Sequence, residues 1–186
     1  MEKKRVQATT AAAIMAIGVL SSPCVDAAVK TYIKIGDIKG ESTDLKYKDW
    51  VDVLSWSWGM SQTGSRVADG RRRVIPVCVQ DLTITKHFDA SSPDLIMGTA
   101  MGDHYPEVDL ALQRTGETPI QFMNFKMADV VVSSYSTEGG GDDGVPVEKV
   151  TFTFQSGAGE YLQPPDDTKS GATIQFEVDA SRSKCR

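Results

Sequence analysis

Apolar residues recur at every second position through much of this chain. The first clear case is VKTYIKI at residues 29–35, where valine, threonine and two isoleucines alternate with lysine and tyrosine. A period of two places the two sets of side chains on opposite faces of a β-strand, whereas a helix needs a period near 3.6. Further strand candidates lie at residues 53–58, 108–113, 120–127, 130–136, 149–155 and 174–178. The chain is therefore predicted to be mainly β.

Turn-forming residues separate these segments. Glycine, proline and aspartate concentrate at residues 64–70, 115–117, 139–144 and 164–167. Between them the pattern predicts seven or eight short strands. Closing or stacking such sheets hides both the apolar faces and the free strand edges. We therefore expect an antiparallel β-barrel of two packed sheets.

One segment interrupts the β pattern. Ser92 precedes Pro93 and Asp94, which is typical of an N-cap followed by the first helical turn. Gly102 is a suitable left-handed C-cap. The sequence predicts one short lateral helix over residues 93–101.

The N-terminus is typical of a signal peptide. Basic residues at positions 3–5 precede an apolar run at 11–20. The run is shorter than the roughly 20 residues that a membrane-spanning helix needs. Small residues place the predicted cleavage between Ala27 and Ala28. Residues 1–27 are thus predicted to be a signal peptide, and residues 28–186 one barrel domain.

The cysteines leave several arrangements open. Pro23 stands where a lipidated cysteine needs a small residue, so we expect Cys24 to carry no lipid and the protein to have no stable membrane anchor. In an oxidising compartment Cys78 and Cys185 are able to pair within or between chains. The apolar run around Cys78 favours a small buried side chain instead.

Charge and motifs exclude several classes of function. The formal net charge of -5 disfavours binding to nucleic acid. His87 and His104 stand in no spacing typical of a zinc site, and no serine lies in a nucleophile elbow. The glycine-rich stretch at 139–144 lacks the lysine of a phosphate-binding loop. No enzymatic activity, metal or cofactor is predicted.

Two further features admit a contact role. Arg71, Arg72 and Arg73 form the densest basic run; they are interpreted as a solvated loop or as contacts to a neighbouring subunit or a cargo protein. Trp56 and Trp58 lie on one strand face, which favours the core over a ligand platform.

Several runs resemble a known family. They are IKIGDIKGESTD (33–44), VLSWSWG (53–59), QDLTITK (80–86) followed by DASSPDL (89–95), VVVSSY (130–135) and PVEKV (146–150). In order and spacing they resemble the Hcp (hemolysin-coregulated protein) family of type VI secretion tube proteins, over nearly all of residues 28–180.

The resemblance implies a structural protein rather than an enzyme. Hexameric rings of the barrel would stack into the inner tube of the secretion system, be exported, and carry effectors in the lumen as an exported chaperone; the spike, the sheath and the effectors would be the partners. The resemblance also implies that an extended loop after the first strand contacts the next ring. Its candidate contact residues here are Gly36, Asp37, Gly40, Glu41, Ser42, Asp44, Lys46 and Lys48.

The leader supports an alternative. A cleaved signal peptide would deliver the domain to the periplasm, where it would act as a periplasmic or secreted ring-forming binding module built on the same barrel. The expected localisation is secreted, with a periplasmic location as the alternative.

Overall fold

The computed structural model describes residues 28–62, 77–116, 118–139, 144–163 and 171–182. Arg71, Arg72 and Arg73, together with Ala27 at the predicted cleavage point, lie outside these residues. The strands of the described residues are β1 (Val29–Ile35), β2 (Val51–Val53), β3 (Ser55–Ser57), β4 (Met60–Ser61), β5 (Cys78–Val79), β6 (Leu82–His87), β7 (His104–Arg114), β8 (Ile120–Glu138), β9 (Val147–Leu162) and β10 (Thr173–Asp179). The helix α1 (Ser92–Met101) lies between β6 and β7.

The main sheet curls into a barrel. Its strand order is β2-β1-β7-β8-β9-β6-β3, with β10 on β9 and all pairs antiparallel. Only Leu54 separates β2 at one end of this order from β3 at the other, and its N–H donates to the Thr85 carbonyl at 2.8 Å. The ends of the sheet are therefore joined by one chain segment, which confirms the predicted antiparallel barrel. Strands β4 and β5 form a separate two-stranded sheet.

The period-two residues line the interior as predicted. Alternate residues of β6 are buried along its whole length. The central core is formed by side chains of β1, β2, β6, β7, β8 and β9, among them Ile33, Ile35, Val51, Ile84, Val108, Leu110, Phe125, Met127, Val150 and Phe152. Burial of this apolar surface is the main force that closes the barrel.

The sequence suggested two strands where the structure has the single strand β8. Strands β8 and β9 run for 19 and 16 residues. Asp129, with φ of 57°, lies within β8, and the β8–β9 register shifts between Val132 and Ser134. Such irregularities bend a strand without ending it. They allow one continuous strand to follow the curvature of the barrel.

The helix ends where predicted but begins one residue earlier, at Ser92, and it has a different N-cap. The N-cap residue is Ser91, and no side chain caps this end. Ser92 instead donates its hydroxyl hydrogen to the Glu148 carboxylate at 2.9 Å, in the barrel interior. The assignment of Ser92 as N-cap is therefore wrong. Gly102 is the left-handed C-cap, with φ of 70°, as predicted.

An aromatic stack fills the barrel beside two glycines. Trp58 lies 4.8 Å from Phe125 and 6.5 Å from Phe176 between ring centroids. A Cβ atom at Gly157 would come within 2.6 Å of the Phe125 ring, and one at Gly159 would overlap the Phe176 ring. Trp56 also packs against the core, so the prediction that both tryptophans belong there is confirmed.

The preferred interpretation of Cys78 is wrong. Cys78 is only partly buried and is disulfide-bonded, with a partner outside the described residues.

Candidate functional site: the extended loop on the barrel wall

The segment between β1 and β2 folds back onto the outside of the barrel. Gly36 adopts φ of +49° directly after β1, and the Gly40 N–H donates to the Asp49 carbonyl at 2.8 Å. The Ser42 N–H likewise donates to the Trp50 carbonyl at 3.0 Å. A Cβ atom at Gly40 would overlap the Trp50 backbone, so the two arms of the loop approach closely only because this residue is glycine.

Tyr47 fastens the loop to the wall. Its ring is 2 % exposed and stacks on Tyr32 of β1, with centroids 4.5 Å apart. Trp50 packs edge-on against the same ring at 5.0 Å. The Gln121 side-chain oxygen of β8 accepts hydrogen bonds from the Tyr47 hydroxyl at 2.8 Å and from the Lys46 ammonium at 2.7 Å. A small second core therefore lies outside the barrel, between loop and sheet.

Asp44 organises the turn of the loop. Its carboxylate accepts the backbone N–H of Lys46 at 2.9 Å and of Tyr47 at 3.3 Å. The Tyr32 hydroxyl donates to its other oxygen at 3.2 Å. These donors, with the Lys46 N–H foremost, lower the pKa of Asp44. Burial and the nearby Asp44 charge raise the pKa of both Tyr32 and Tyr47 to about 12.

Leu45 is the side chain that this arrangement displays. It is fully exposed, although its neighbours Asp44, Lys46 and Tyr47 are all hydrogen-bonded to the chain. An ordered turn that presents a bare leucine is preorganised for an apolar contact. Neither Leu45 nor Gln121 was singled out from the sequence. Tyr47 and Trp50, two aromatic residues in a polar loop, are the signal that indicates a folded loop.

The predicted contact residues separate into two groups. Ser42, Asp44 and Lys46 bond within the loop or to β8, and Glu41 accepts the Ala90 N–H at 3.0 Å near the start of α1. Exposed side chains remain at Asp37 and Lys48. The structure thus brings the loop residues together as one unit and links that unit to both the sheet and the α1 region.

A buried ionic cluster lies beside the start of α1. The Lys86 ammonium, fully buried, lies 2.6 Å from Glu148 and 2.8 Å from Asp89. It also donates to the Ser92 hydroxyl at 3.0 Å, and the Tyr135 hydroxyl donates to Glu148. A serine beside a lysine is a known nucleophile–base pair. Here both side chains are buried, and the Lys86 ammonium is paired with two carboxylates, so the cluster ties α1 to the barrel.

The remaining titratable groups of the described segments suggest no metal centre. His104 is exposed and lies 3.2 Å from Asp129. Within the described ranges, no three His, Cys, Asp or Glu residues are placed to share a metal ion. No helix among those same residues is long and apolar enough to cross a membrane.

The described residues thus form an antiparallel barrel with one lateral helix and an ordered surface loop. The family model for "Type VI secretion system effector, Hcp" matches residues 32–161. The chain belongs to this family. It is 40% identical over 151 residues to Protein hcp1 of Pseudomonas aeruginosa, covering 80% of this chain and 93% of that protein.

Solved structures of this family have the same fold as the chain. A crystal structure of Hcp1 from Salmonella typhimurium has a TM-score of 0.67 and 28% identity, over 84% of this chain and 98% of the other. A structure described as a type six secretion system protein has a TM-score of 0.76 at 28% identity, over 84% of this chain and 99% of that one. Family and barrel are thus established together, and the resemblance noted in the sequence is confirmed.

Proposed function

We propose that this chain is a structural component of the type VI secretion inner tube. Hexameric rings of the barrel stack, are exported and carry effectors in the lumen. Family membership supports this proposal, and the observation that carries it is the ordered loop that displays Leu45 on an otherwise polar turn. A heterologous contact that closes on itself gives a ring, and a head-to-tail contact between rings gives a tube.

The assembly is tested by size exclusion with light scattering on the full chain, with and without reductant. We expect the mass of a hexamer in both conditions. A particle that stays monomeric at every concentration would overturn the tube assignment while leaving the barrel intact.

The loop is tested separately from the ring. Leu45→Asp places a charge at the apex, where burial in a contact with the next ring would be costly. We expect hexamers of this variant to form but stacked tubes to be lost in electron micrographs. The matched variant Leu45→Met keeps an apolar side chain of similar size and should still stack. Normal tubes formed by the Leu45→Asp variant would show that the loop apex takes no part in the stacking contact.

The basic run supplies a second proposed contact. Arg71, Arg72 and Arg73 would pair with acids of a neighbouring subunit or of a cargo protein. Replacing all three with Ser should lower the salt sensitivity of assembly or of effector retention. Unchanged salt dependence of both would leave the run as a solvated loop.

The leader supports the second candidate function, a periplasmic or secreted ring-forming module. Residues 1–27 would be removed between Ala27 and Ala28 during export. The intact mass of protein recovered from the cell envelope decides: a mass beginning at Ala28 supports the periplasmic module, and an uncleaved chain confined to the cytoplasm rules it out.

A further inference from the structure

A cavity opens at the end of the barrel where β7 ends and β8 begins. It has a volume of about 150 Å³ and lies between these strands and the end of β9. Its surface is mainly apolar, and its lining includes Arg114, Thr115, Thr118, Ile120, Phe122 and Leu162. An apolar cavity of this size holds one benzene-sized ring.

Phe122 is directed to the cavity by an irregularity in the β7–β8 pairing. The consecutive residues Leu112 and Gln113 of β7 pair with β8 residues that are two positions apart, so Phe122 between those two has no partner on β7. A bulge of this kind re-aims a side chain, and bulges are common beside functional sites. The Phe122 ring thus forms one wall of the cavity instead of continuing the regular alternation of the strand.

Arg114 supplies the positive charge of the cavity. Among the described residues that line it, Arg114 alone is charged. No carboxylate of the described segments forms an ion pair with Arg114. Its guanidinium carbon lies 5.5 Å from the centroid of the Phe122 ring, and this cation–π contact orients the group. A planar guanidinium binds a carboxylate through two parallel N–H donors.

The walls of the cavity are held in place by hydrogen bonds. The Thr115 N–H and hydroxyl both donate to the Ala28 carbonyl, at 2.8 and 2.7 Å. On the opposite side, the Gln163 N–H donates to the Ala172 carbonyl at 2.9 Å and joins the end of β9 to the segment before β10. A site whose walls are already ordered loses little conformational freedom when a ligand binds.

We propose that this cavity binds a small aromatic monocarboxylate. The ring of the ligand fills the apolar space beside Ile120 and Phe122, and its carboxylate pairs with the Arg114 guanidinium. A single cation on a chain with a formal net charge of -5 favours one negative charge over a polyanion. The lining residues belong to one chain, so the proposal stands apart from the proposed tube assembly.

Binding is tested with phenylacetate as the probe, on the full chain labelled at its isoleucine and leucine methyl groups. The methyl signals of Ile120 and Leu162 should shift in NMR spectra on titration, with a dissociation constant of about 0.1–5 mM. Phenylacetamide has the same shape without the charge and should bind about tenfold more weakly. Absence of these shifts, shifts confined to other parts of the chain, or equal binding of the two probes would each overturn the proposal.

Variants test the role of each half of the site. Arg114→Gln should weaken phenylacetate binding about tenfold and leave phenylacetamide binding unchanged. Ile120→Glu places a carboxylate directly across from Arg114 on the neighbouring strand, where it should pair with the guanidinium and abolish phenylacetate binding. Arg182→Gln removes another exposed arginine and is the matched control, with the affinity of the parent chain. Full phenylacetate affinity in Arg114→Gln or in Ile120→Glu would contradict the assigned site.

Discussion

Lys86 is a lysine with no exposed side-chain surface, and its ammonium group is nevertheless fully paired. Its acceptors are Glu148, Asp89, the Ser92 hydroxyl and the His87 carbonyl, all within 3.0 Å. A buried charge is tolerated only with such pairing, because moving an ion out of water is costly. The cluster therefore specifies how α1 sits on the barrel more than it adds net stability.

Removing either Lys86 or Glu148 alone should lower the free energy of unfolding far more than removing both side chains together. Lys86→Met leaves Glu148 buried and uncompensated, and we expect a loss of about 3–5 kcal/mol in the free energy of unfolding. The double variant Lys86→Met/Glu148→Leu should recover much of this loss, as urea denaturation would measure. Arg182→Met is the control, because its contact to Asp179 is long, at 3.8 Å, and both side chains are exposed, so we expect the free energy of unfolding to change little. Additive losses in the double variant would contradict the pairing.

Gly159 is required by its neighbour rather than by its backbone. Gly159→Ala would place a methyl group in the Phe176 ring and should lower the free energy of unfolding by about 1–3 kcal/mol. Gly139→Ala meets no atom within 4 Å and serves as the matched control. Equal stability of the two variants, measured by thermal unfolding, would show that the Phe176 ring moves aside without loss of stability.

These residues show what a single sequence can and cannot reveal. The alternation of β6 places Lys86 on the same face as Leu82 and Ile84, so its burial follows from the period of two. Its partner Glu148 lies 62 residues away, and no local rule couples the two positions. The need for glycine at positions 157 and 159 of β9 was likewise not predictable from the sequence, because the aromatic rings that pack there belong to β8 and β10.

At the scale of elements, the features that depend on neighbouring residues in the sequence were predictable. The turn at Gly102, the position of α1 and the first strand follow from caps and periodicity. The sequence indicated an extended loop after the first strand but not that the loop folds back onto the barrel. That folding back depends on Tyr32, Tyr47 and Gln121, which meet only in three dimensions. A loop held by contacts between residues far apart in the sequence is revealed by the structure and is not predictable from local patterns.

Alkaline pH should release this loop. Because burial raises the pKa of Tyr32 and Tyr47 from 10 to about 12, folding favours their neutral forms. The stability that they contribute is complete below pH 10 and is lost as the pH rises from 10 to about 12. Tyrosinate absorbance at 295 nm should show a late phase there, with faster proteolysis of the loop.

Tyr47→Phe keeps the stacked ring but removes one titrating hydroxyl and its bond to Gln121. The late phase should shrink in this variant, while far-UV circular dichroism stays unchanged at neutral pH. A titration curve identical to that of the parent chain would show that Tyr47 ionises without strain.

At the scale of the whole molecule, the barrel has a stable wall, formed by β8 and β9, and a weaker seam, formed by β2, Leu54 and β3 where the ends of the sheet meet. Strands β8 and β9 pair along most of their length with neighbours on both sides and carry much of the core. Strands β2 and β3 have three residues each, and each pairs along one edge. Closure thus depends on a short segment centred on Leu54. The strand pattern predicted the barrel, but the location of the seam depends on long-range pairing that periodicity does not encode.

The seam should open before the wall. Segments with few buried contacts exchange through low-energy local openings, whereas central strands exchange near the free energy of global unfolding. We expect amides of residues 51–57 to exchange well before those of Met127 and Phe152 in hydrogen exchange at neutral pH. Leu54→Pro removes the donor to the Thr85 carbonyl and should accelerate exchange at the seam alone, whereas Leu54→Ala keeps that donor and should not. Uniform protection across seam and wall would mean instead that the barrel opens only as one cooperative unit.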